Sequence, residues 1–416
     1  MTVRDYRALP ALIFVVAMMA VLMAQPAQAG TYSVKCWKAA IHDLDNDGFA
    51  NQFAQVSDRE TVIANDAERL NCPTGYVKAR GDCDDNNSKV HPRQLEAFGN
   101  GVDDNCNGLV DEPQVRYFPH GVANTSSSFN MKFDVKDQAV LNAYRSPFSS
   151  LSYVIEYQAL SNTAHTFTTP LRSLTRYSDY GAHSRFDVRL SGLDPSTVYR
   201  ARVQLYKTSR VSLRDRFGSR SRVIVRSYPM GDFSEWYYTA TDGESRIERE
   251  RTSIVLRGLY EYYISEHRGA TGYRGTNYVD GTRYGADKGE LWCSEFYSWT
   301  VGTQAHQMGH RSNVSAVLSF FSGYLSRVLS PSHNRLEKAE RGDYLALDTN
   351  GDGSANHSGM FLAYDDARGK MWTLEGNTSG VNHVGYASRR AGNETVVKTR
   401  PTTEVHDLGV LKSMMF

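Results

Sequence analysis

The 416-residue sequence lacks three features that would assign it to a class of protein at once. It has no excess of charge of one sign, because 47 lysines and arginines balance 46 aspartates and glutamates, and this excludes a general attraction to nucleic acid or to a membrane surface. It has no apolar run long enough for a good membrane span, which needs about 20 residues. It has only five cysteines, and four of them lie within residues 36–106.

The longest apolar run, residues 8–24, stands near the start of the chain. Two arginines precede it, and Ala27-Gln28-Ala29 follows it as a small-residue cleavage pattern. Residues 1–29 therefore read as a secretory signal. No cysteine stands at the cleavage point to carry a lipid. We expect a secreted or periplasmic protein without a membrane span.

Export changes what the cysteines predict, because an even set is expected to pair in an oxidising compartment. Cys83 and Cys106 bracket one acidic motif and are candidate partners, and Cys36 and Cys72 could form a second bridge, although the sequence alone leaves the connectivity open. Cys293 is left over. A free thiol in an exported protein indicates a chemical task, with intermolecular pairing or simple burial as the alternatives.

The length predicts two or three domains, since about 100–200 residues per domain is usual. Charge is uneven along the chain. Residues 30–115 hold 15 acidic and 8 basic residues, whereas residues 116–245 hold 11 acidic and 17 basic ones. An acidic first part and a basic middle part indicate separate modules.

The first module, residues 30–115, opens with carboxylates at alternate positions. Asp43, Asp45 and Asp47 are followed by Gly48, so one loop can wrap oxygen ligands round a hard cation, for which calcium is the usual choice. The twelfth position is Ala54 instead of glutamate, so this is not a complete EF-hand.

Two further acidic motifs, D-C-D-D at residues 82–85 and V-D-D-N-C-N-G-x-V-D-E at residues 102–112, resemble the MopE-like metal-binding motif of secreted bacterial proteins. We expect structural calcium in this module and no organic cofactor. The first site comprises the three aspartates above, and a second site draws on Asp82, Asp84, Asp103, Asp104 and Asp111. The alternative is that these carboxylates cap turns in a disulfide-stapled loop. Bridges and metal would supply much of the stability of so small a module.

The middle module, residues 116–243, is predicted to be all-β. Period-two runs occur at residues 129–135, 153–159, 186–190, 198–206 and 223–228. The stretch 190–203 resembles the fibronectin type III pattern, in which a tyrosine hydroxyl, here that of Tyr199, bonds back to the backbone at a corner. Arginines crowd a predicted loop over residues 210–226, either to contact anionic cell-wall polymer or as a solvated face. The module would be a spacer or a binding scaffold.

One stretch of the C-terminal module, residues 247–416, predicts a nucleophile. Apolar residues recur near a helical period across residues 291–299, and Cys293 stands where a turn runs into this helix. The helix start favours the thiolate. Downstream, His357 opens an apolar strand, and Glu375 and Asn377 end the next strand. This order predicts acyl transfer by a thiol, although each residue alone is more often structural.

Residues from about 286 to 390 resemble the CHAP family of cysteine- and histidine-dependent amidohydrolases and peptidases, within the papain-like group. The motifs are W-C-S-E-F at 292–296, G-D-Y at 342–344, His357 and E-G-N at 375–377, while Asn356 stands where the family usually has glycine. The resemblance implies a Cys293 nucleophile, a His357 general base, and Glu375 and Asn377 as its orienting groups. It also implies a papain-like fold and a peptidoglycan amide or cross-bridge peptide as substrate.

The order of predicted elements agrees with an α+β domain. Helices are predicted at residues 249–267, 291–299 and 312–329, and they precede strands at residues 357–364, 371–377, 383–388 and 394–398. The whole chain is therefore expected to combine a loop-rich module stabilised by disulfides and metal, an all-β fibronectin type III-like sandwich, and an α+β papain-like domain.

A further acidic loop lies just before His357. Asp348, Asn350 and Asp352 repeat the alternate spacing, with Gly359 at the twelfth position. The loop could bind calcium and hold the segment that delivers the histidine, or it could be a tight turn built from residues that favour turns.

Two functions follow from these patterns. The first is a secreted cysteine hydrolase acting on amide or peptide bonds of peptidoglycan. The second is a calcium-dependent surface-binding or adhesion protein whose papain-like domain is inactive. Fast labelling of Cys293 by a thiol reagent at neutral pH indicates the hydrolase, whereas adhesion that responds to a chelator but not to thiol blockers indicates the binding protein.

Overall fold

The computed structural model describes residues 32–412 except 65–71, 73, 78, 93, 95, 98–99, 113, 117–123, 137–148, 174–175, 181–182, 215–220, 268–283, 286–290, 303–312, 324–326, 330–335, 337–338 and 379–393. The predicted secretory signal at residues 1–29 and the predicted strand at residues 383–388 lie outside the described residues.

Strands dominate the described residues, which form several sheets and few helices. The strands are β1 (Tyr32–Lys38), β2 (Phe49–Asn51), β3 (Glu60–Ala64), β4 (Tyr76–Val77), β5 (Ala79–Asp82), β6 (Gln114–Arg116), β7 (Ser128–Lys136), β8 (Ser149–Ala159), β9 (Phe167–Thr168), β10 (Arg172–Ser173), β11 (Arg176–Tyr180), β12 (His183–Ser191), β13 (Val198–Arg214), β14 (Ser221–Pro229), β15 (Tyr237–Ala240), β16 (Arg327–Leu329), β17 (Tyr344–Leu347), β18 (His357–Asp365), β19 (Lys370–Thr378), β20 (Glu394–Pro401) and β21 (Val405–Gly409). The helices are α1 (Ala39–His42), α2 (Arg246–His267), α3 (Cys293–Gly302) and α4 (Val314–Gly323).

The acidic N-terminal region is held together by short strands and two disulfides. β1 pairs antiparallel with β3 and β4, while β2 pairs parallel with β5. The bridges join Cys36 to Cys72 and Cys83 to Cys106, which confirms the pairing considered from the sequence. Such bridges are typical of proteins outside the cytoplasm. The apolar core of this region is small, so covalent links replace much of the burial that a larger domain would have.

Two antiparallel sheets form the middle region. One has the order β11-β12-β7-β6, and the other has the order β10-β8-β13-β14, with β15 also on β13 and β9 on β8. Alternate residues of both sheets point into one core that includes Phe129, Phe133, Val188, Tyr153, Ile155, Val203 and Leu205. The hydroxyl of Tyr199 accepts a hydrogen bond from the backbone N–H of Asp194 at 3.0 Å, which is the corner contact expected from the 190–203 stretch.

The arginine-rich loop predicted over residues 210–226 is wrong for residues 210–214 and 221–226, which form strands, while residues 215–220 lie outside the described residues. β13 continues to Arg214, and its register with β14 runs from Tyr206 opposite Pro229 to Arg214 opposite Ser221. These two paired strands carry Arg210, Arg214, Arg222 and Arg226. Apolar residues recur at alternate positions on both strands, Val211 with Leu213 and Val223 with Val225, and that pattern outweighs the polar composition that suggested a loop.

The C-terminal region has one antiparallel sheet of six strands in the order β16-β21-β17-β18-β19-β20, with α3 against β18 and β19 and α2 against β20. Ser245 caps α2, since its hydroxyl accepts from the N–H of Glu248 while the Glu248 carboxylate accepts from the N–H of Ser245. The helix predicted over residues 312–329 is wrong at its C-terminal end. α4 ends at Gly323, and Arg327–Leu329 pair with β21 at the sheet edge.

The middle and C-terminal regions share one apolar core. Leu160, Val198 and Tyr238 of the middle region pack in the same cluster as Ile254 of α2 and Trp372 of β19. A cleft of about 540 Å³ lies near this junction, and its lining includes none of the predicted catalytic residues. Within the described part of the chain, the helices are too short or too polar to reach across a lipid bilayer.

Candidate active site

Cys293 is the first residue of α3, and the backbone bond from Phe296 N–H to Trp292 C=O closes the first turn behind it. It is the free cysteine of the chain, since the other four are paired. The residue is 8% exposed, so it is largely shielded from water. The start of a helix presents backbone N–H groups that no intrahelical partner satisfies, and these favour negative charge on the sulfur.

Two glycines allow the helix and strands to approach closely enough to form the site. A Cβ on Gly376 of β19 would lie 2.6 Å from the Trp292 ring and 2.7 Å from Phe296 Cβ, so only glycine lets α3 lie this close to the strand. A Cβ on Gly359 of β18 would lie 3.0 Å from Glu375 Cγ. Both positions keep the cysteine, the histidine and the carboxylate within reach of one another.

His357 lies between the sulfur and a carboxylate. It is the first residue of β18, and its side chain, 12% exposed, hydrogen-bonds to Cys293. Its Nε2 is 3.0 Å from Oε2 of Glu375. Because Nε2 faces the carboxylate, Nδ1 is the ring nitrogen left for the thiol. This is the arrangement in which an imidazole can exchange a proton with sulfur while a carboxylate fixes its tautomer.

Glu375 is fully buried and yet surrounded by donors. Arg400 grips it with two bonds of 2.7 Å, from Nε to Oε1 and from Nη2 to Oε2, and the Thr373 hydroxyl donates to Oε1 at 2.7 Å. Nζ of Lys398 is 3.5 Å from Oε2. Burial raises the pKa of Glu375, but the bonds from Arg400 and His357 outweigh burial and hold the pKa far below its usual range. The carboxylate is therefore an anion.

The pKa values of the other two groups move toward an ion pair. Burial raises the pKa of the Cys293 thiol, but its hydrogen bond to His357 and the charge of His357 outweigh burial, so the net pKa is lowered. Burial lowers the pKa of His357, but the bonds and charges of Cys293 and Glu375 raise it to about 9. Between these two values the pair is a thiolate beside an imidazolium.

Three hydroxyl groups near the sulfur were not anticipated from the sequence. Ser294 and Ser358 follow Cys293 and His357 in the chain, and their hydroxyl oxygens lie 3.3 Å apart. Both also act on Cys293 by hydrogen bonds that lower the pKa of its thiol. Burial is the largest cause of the raised pKa of the Tyr344 hydroxyl, which also lies close enough to Cys293 for the thiolate charge to raise that pKa further. For the two serines, the available signal was their position next to the predicted catalytic residues in the chain. The grip of Arg400 on Glu375 had no comparable signal.

Two predicted features near the histidine have different outcomes. Asn377 lies on β19, but its side chain is outside what the structure describes, so its orienting role stays a prediction. Asn356, which replaces the glycine of the CHAP pattern, bonds to the preceding loop: its Nδ2 donates to Asn350 and its Oδ1 accepts from the N–H of Thr349. It therefore holds that loop in place.

The first predicted metal site is larger than the sequence indicated. Oxygens of Asp43, Asp45 and Asp47 lie within 4.8 Å of one another, and so do oxygens of Asp45, Asp82 and Asp85. The structure thus joins the loop at residues 43–48 to the start of the second acidic motif through a shared Asp45. Asp85 was not predicted. Asp84, which was, is exposed, and its N–H donates to Asp82.

The residues of this cluster fit a bound cation. Asp82 is fully buried, and one oxygen each of Asp45, Asp47 and Asp82 is buried without a hydrogen-bond partner among the described residues. Burial first, and then neighbouring carboxylates, raise the pKa of Asp47 to about 6 and that of Asp82 to about 7. Buried oxygens without partners are costly, and a cation in contact with them would remove that cost.

The remaining predicted ligands do not converge with Asp82. Asp103 accepts from the N–H groups of Asn107 and Gly108. Asp104 accepts from the N–H of Ala97 and from the Asn100 amide, and Asp111 from the N–H groups of Asn100 and Gly101. Among the described residues, the groups close enough to share a cation are the two given above, and they include none of these three. The three aspartates act as turn caps.

The loop before His357 is also a turn by its contacts. Asp348 accepts from the N–H groups of Gly351, Asp352 and Gly353, and Asn350 Nδ2 donates to Asp352 Oδ2 at 2.9 Å. The backbone bond from Gly353 is the largest cause of the lowered pKa of Asp348. The other backbone bonds also lower this pKa, while burial acts in the opposite direction. These residues are mostly exposed, and the bonds match the turn interpretation of the sequence.

Comparison with known proteins supports the metal-binding part of this description. Residues 82–112 match a family model of the MopE type, described as "Putative metal-binding motif" and named for copper binding, which confirms the resemblance found for this segment. A comparison with curated proteins finds no match.

Solved structures resemble the chain only weakly. The sensor domain of the anti-sigma factor RsgI4 from Pseudobacteroides cellulosolvens is 14% identical over 31% of this chain and 93% of that one, with a TM-score of 0.16. Astrotactin-2, described as a vertebrate-specific and perforin-like membrane protein, is 11% identical over 73% of this chain, with a TM-score of 0.22, and the match spans 48% of its length. TM-scores this low carry no argument about fold or function.

Proposed function

We propose that this protein is a cysteine hydrolase that cleaves amide or peptide bonds through the Cys293 thiolate and an acyl-enzyme intermediate. The observation that supports it most is the chain of contacts from Cys293 through His357 to the buried, ionised Glu375. The papain-like fold expected from the CHAP resemblance is part of the proposal, since helix α3 carries the thiol against an antiparallel sheet that carries the other two groups.

In the first step, the thiolate attacks the carbonyl carbon of the substrate and the carbonyl π electrons move to oxygen. Backbone N–H groups at the start of α3 are the candidate donors to that oxyanion, and one such donor is often worth about 3 kcal/mol. The His357 imidazolium then gives its proton to the leaving nitrogen as the C–N bond breaks. The products of this half-reaction are a thioester on Cys293 and a free amine.

In the second step, neutral His357 takes a proton from water, and the resulting hydroxide attacks the thioester carbon. The C–S bond breaks, a carboxylic acid leaves, and the thiolate–imidazolium pair is restored. Glu375 accepts the Nε2–H bond throughout and keeps the other ring nitrogen directed at the sulfur.

Peptidoglycan is the proposed substrate class. The support is the resemblance of residues 286–390 to the CHAP family, together with two disulfides that are typical of proteins outside the cytoplasm. A cell-wall amide or a cross-bridge peptide supplies the carbonyl and the leaving amine that the site requires.

Calcium is the proposed occupant of the acidic cluster. Asp43, Asp45, Asp47, Asp82 and Asp85 offer only oxygen ligands, which suit a hard cation, whereas copper favours nitrogen and sulfur. The cation would cross-link two segments of a region with little apolar core, so its role is structural.

The test compares the parent with Cys293→Ser on purified peptidoglycan, with released fragments identified by mass spectrometry in the presence and absence of calcium. Loss of the thiolate should reduce fragment release by about 10³-fold or more, while the thermal midpoint stays near that of the parent. Equal fragment release by both proteins would contradict the hydrolase and leave the surface-binding hypothesis.

A further inference from the structure

The carboxylate that orients His357 occupies a position where it should not remain charged without help. Glu375 is 0% exposed, and a buried carboxylate normally takes up a proton. A protonated Glu375 would lose the full negative charge that holds the His357 N–H bond. The groups that face Glu375 therefore decide whether it can orient the histidine as an anion.

The register of β20 explains which groups face it. β20 pairs antiparallel with β19, with Val396 opposite Glu375 and Lys398 opposite Thr373. Side chains alternate between the two faces of a sheet, so Lys398 and Arg400 share the face that carries Glu375. The charged groups around this carboxylate are thus His357 from β18 and Lys398 and Arg400 from β20.

Arg400 makes the contact best suited to fix both charge and direction. Its Nε and Nη2 each lie 2.7 Å from a different oxygen of Glu375, and Nη1 is 2.6 Å from Oε2 of Glu404. A planar fork of this kind fixes the plane of the carboxylate, whereas Lys398 at 3.5 Å acts as a point charge. The plane so fixed directs Oε2 at His357 Nε2.

We infer that Arg400 is a positioning residue, which holds the buried Glu375 as an anion directed at His357 and thereby sustains the thiolate on Cys293. The inference rests on the proposed function for the role of the thiolate. Arg400 contacts neither Cys293 nor His357 in the described bonds, so it acts through Glu375.

The test follows the rate at which iodoacetamide alkylates Cys293 as a function of pH, measured by intact mass on the full chain. In Arg400→Gln, a protonated or misdirected Glu375 no longer raises the pKa of His357, so the acid-side midpoint should move up by about one pH unit. Alkylation at a pH below that midpoint should slow about tenfold. Arg400→Lys keeps the positive charge, so its acid-side midpoint should lie close to that of the parent.

Thr373→Val is the matched control, because it removes a neutral donor to the same carboxylate and leaves all charges in place. Its midpoint should stay within about 0.3 pH unit of the parent, which is well below the shift of about one unit expected for the loss of a charge. A folded Arg400→Gln protein with the parent profile overturns the inference. So does loss of folded protein in both Arg400 variants, since Arg400 would then serve only the fold.

The proposed hydrolase and the positioning role of Arg400 can be contradicted separately. If the parent itself shows an ordinary thiol titration, the proposed hydrolase fails. If the parent shows a lowered midpoint and Arg400→Gln does not change it, only the role of Arg400 fails.

Discussion

Burial acts against charge at each of the proposed catalytic residues, and each keeps its charge through its contact with the next. Cys293 depends on His357, His357 depends on Glu375, and Glu375 depends on Arg400. A change at one end is therefore expected to propagate to the other, as in other networks of buried polar groups.

Replacing Glu375 by glutamine tests the middle of this series of contacts, which runs from Cys293 to Arg400. The amide cannot supply negative charge, so the pKa of His357 should fall from about 9 toward its ordinary value and the ring should lose its fixed tautomer. By comparison with other triads, we expect kcat to fall by about 10²–10⁴-fold while KM changes little. Steady-state kinetics on a peptidoglycan peptide measure both.

Glu404→Gln is the control for that experiment. Glu404 also pairs with Arg400, at 2.6 Å, but its recorded bonds do not reach His357. Its kcat should stay within a few-fold of the parent. Equal losses in the two variants would show that Glu375 matters only as an Arg400 partner.

At the residue scale, the sequence was sufficient to predict those site residues that stand in a recognisable local pattern. Cys293 stands at a helix start and His357 opens an apolar strand, and the structure brings them together with Glu375. Arg400 and Asp85 were not found, because their partners are defined by strand register and by the approach of two loops. Neither is visible as spacing within a motif.

At the scale of elements, the contact between α3 and β19 makes Gly376 sensitive to substitution. In Gly376→Ala, the new Cβ would lie 2.6 Å from the Trp292 ring, so the helix must shift away from the strand. Such overpacking typically costs about 1–3 kcal/mol of unfolding free energy. Chemical denaturation measures that loss, and a fall in kcat should accompany it because Cys293 moves with α3.

The matched control is Gly302→Ala at the other end of α3, where nothing lies within 4 Å of the added Cβ. Since alanine favours helix over glycine by about 1 kcal/mol in a helix interior, this variant should be neutral or slightly stabilised. A Gly376→Ala protein as stable as Gly302→Ala would contradict the close approach of helix and strand.

We predict that calcium stabilises the fold of the two acidic segments and that Asp82 is one of its ligands. At 100 times its Kd, a cation bound only by the folded state adds about 2.7 kcal/mol to the unfolding free energy. Asp82→Asn should lose most of that gain. In chelator at pH 8, Asp82→Asn should instead be more stable than the parent. Burial raises the pKa of Asp82 to about 7, so its ionisation destabilises the metal-free fold as pH rises from about 4 through 7.

Asp84→Asn provides the comparison, since Asp84 is exposed and lies outside the acidic cluster. It should retain the calcium response of the parent in thermal melts with and without chelator. The same calcium gain in Asp82→Asn and Asp84→Asn would remove Asp82 from the cation site.

Strands and helices could be predicted where one apolar period persisted along the sequence. The residues at which they begin and end could not be predicted. The alternation at residues 129–135 and 186–190 predicted β7 and β12, which run slightly further at both ends. Residues 327–329 continue an apolar pattern compatible with a helix, but they pair as a strand because β21 offers an open edge. Tertiary pairing of this kind overrides local propensity.

At the scale of the whole molecule, the middle and C-terminal regions are joined by buried polar contacts as well as by a common core. Arg341 donates to the carbonyls of Ser196 and Glu248 and to the Thr252 hydroxyl, and Thr163 bonds to the buried Asp365. The sequence suggested a spacer or a binding scaffold for the middle region. The packing shows that this region supports the sheet that carries the site, and the spacer and scaffold roles stay predictions.

Arg341→Met should therefore lower stability without altering the chemistry. Removing a charged donor that hydrogen-bonds to buried acceptors typically costs about 1.5–3 kcal/mol, whereas Arg246→Met, at an exposed surface pair, should cost less than about 1 kcal/mol. Denaturant melts measure both losses. A cost for Arg341→Met no larger than for Arg246→Met would contradict the joined architecture.

The central claim, an activated thiolate on Cys293, is tested most directly by the pH dependence of its alkylation in the parent protein. We predict an acid-side midpoint below the ordinary thiol value of about 8.5 and a second change near pH 9, where His357 loses its proton. A single titration at or above the ordinary thiol value would contradict it.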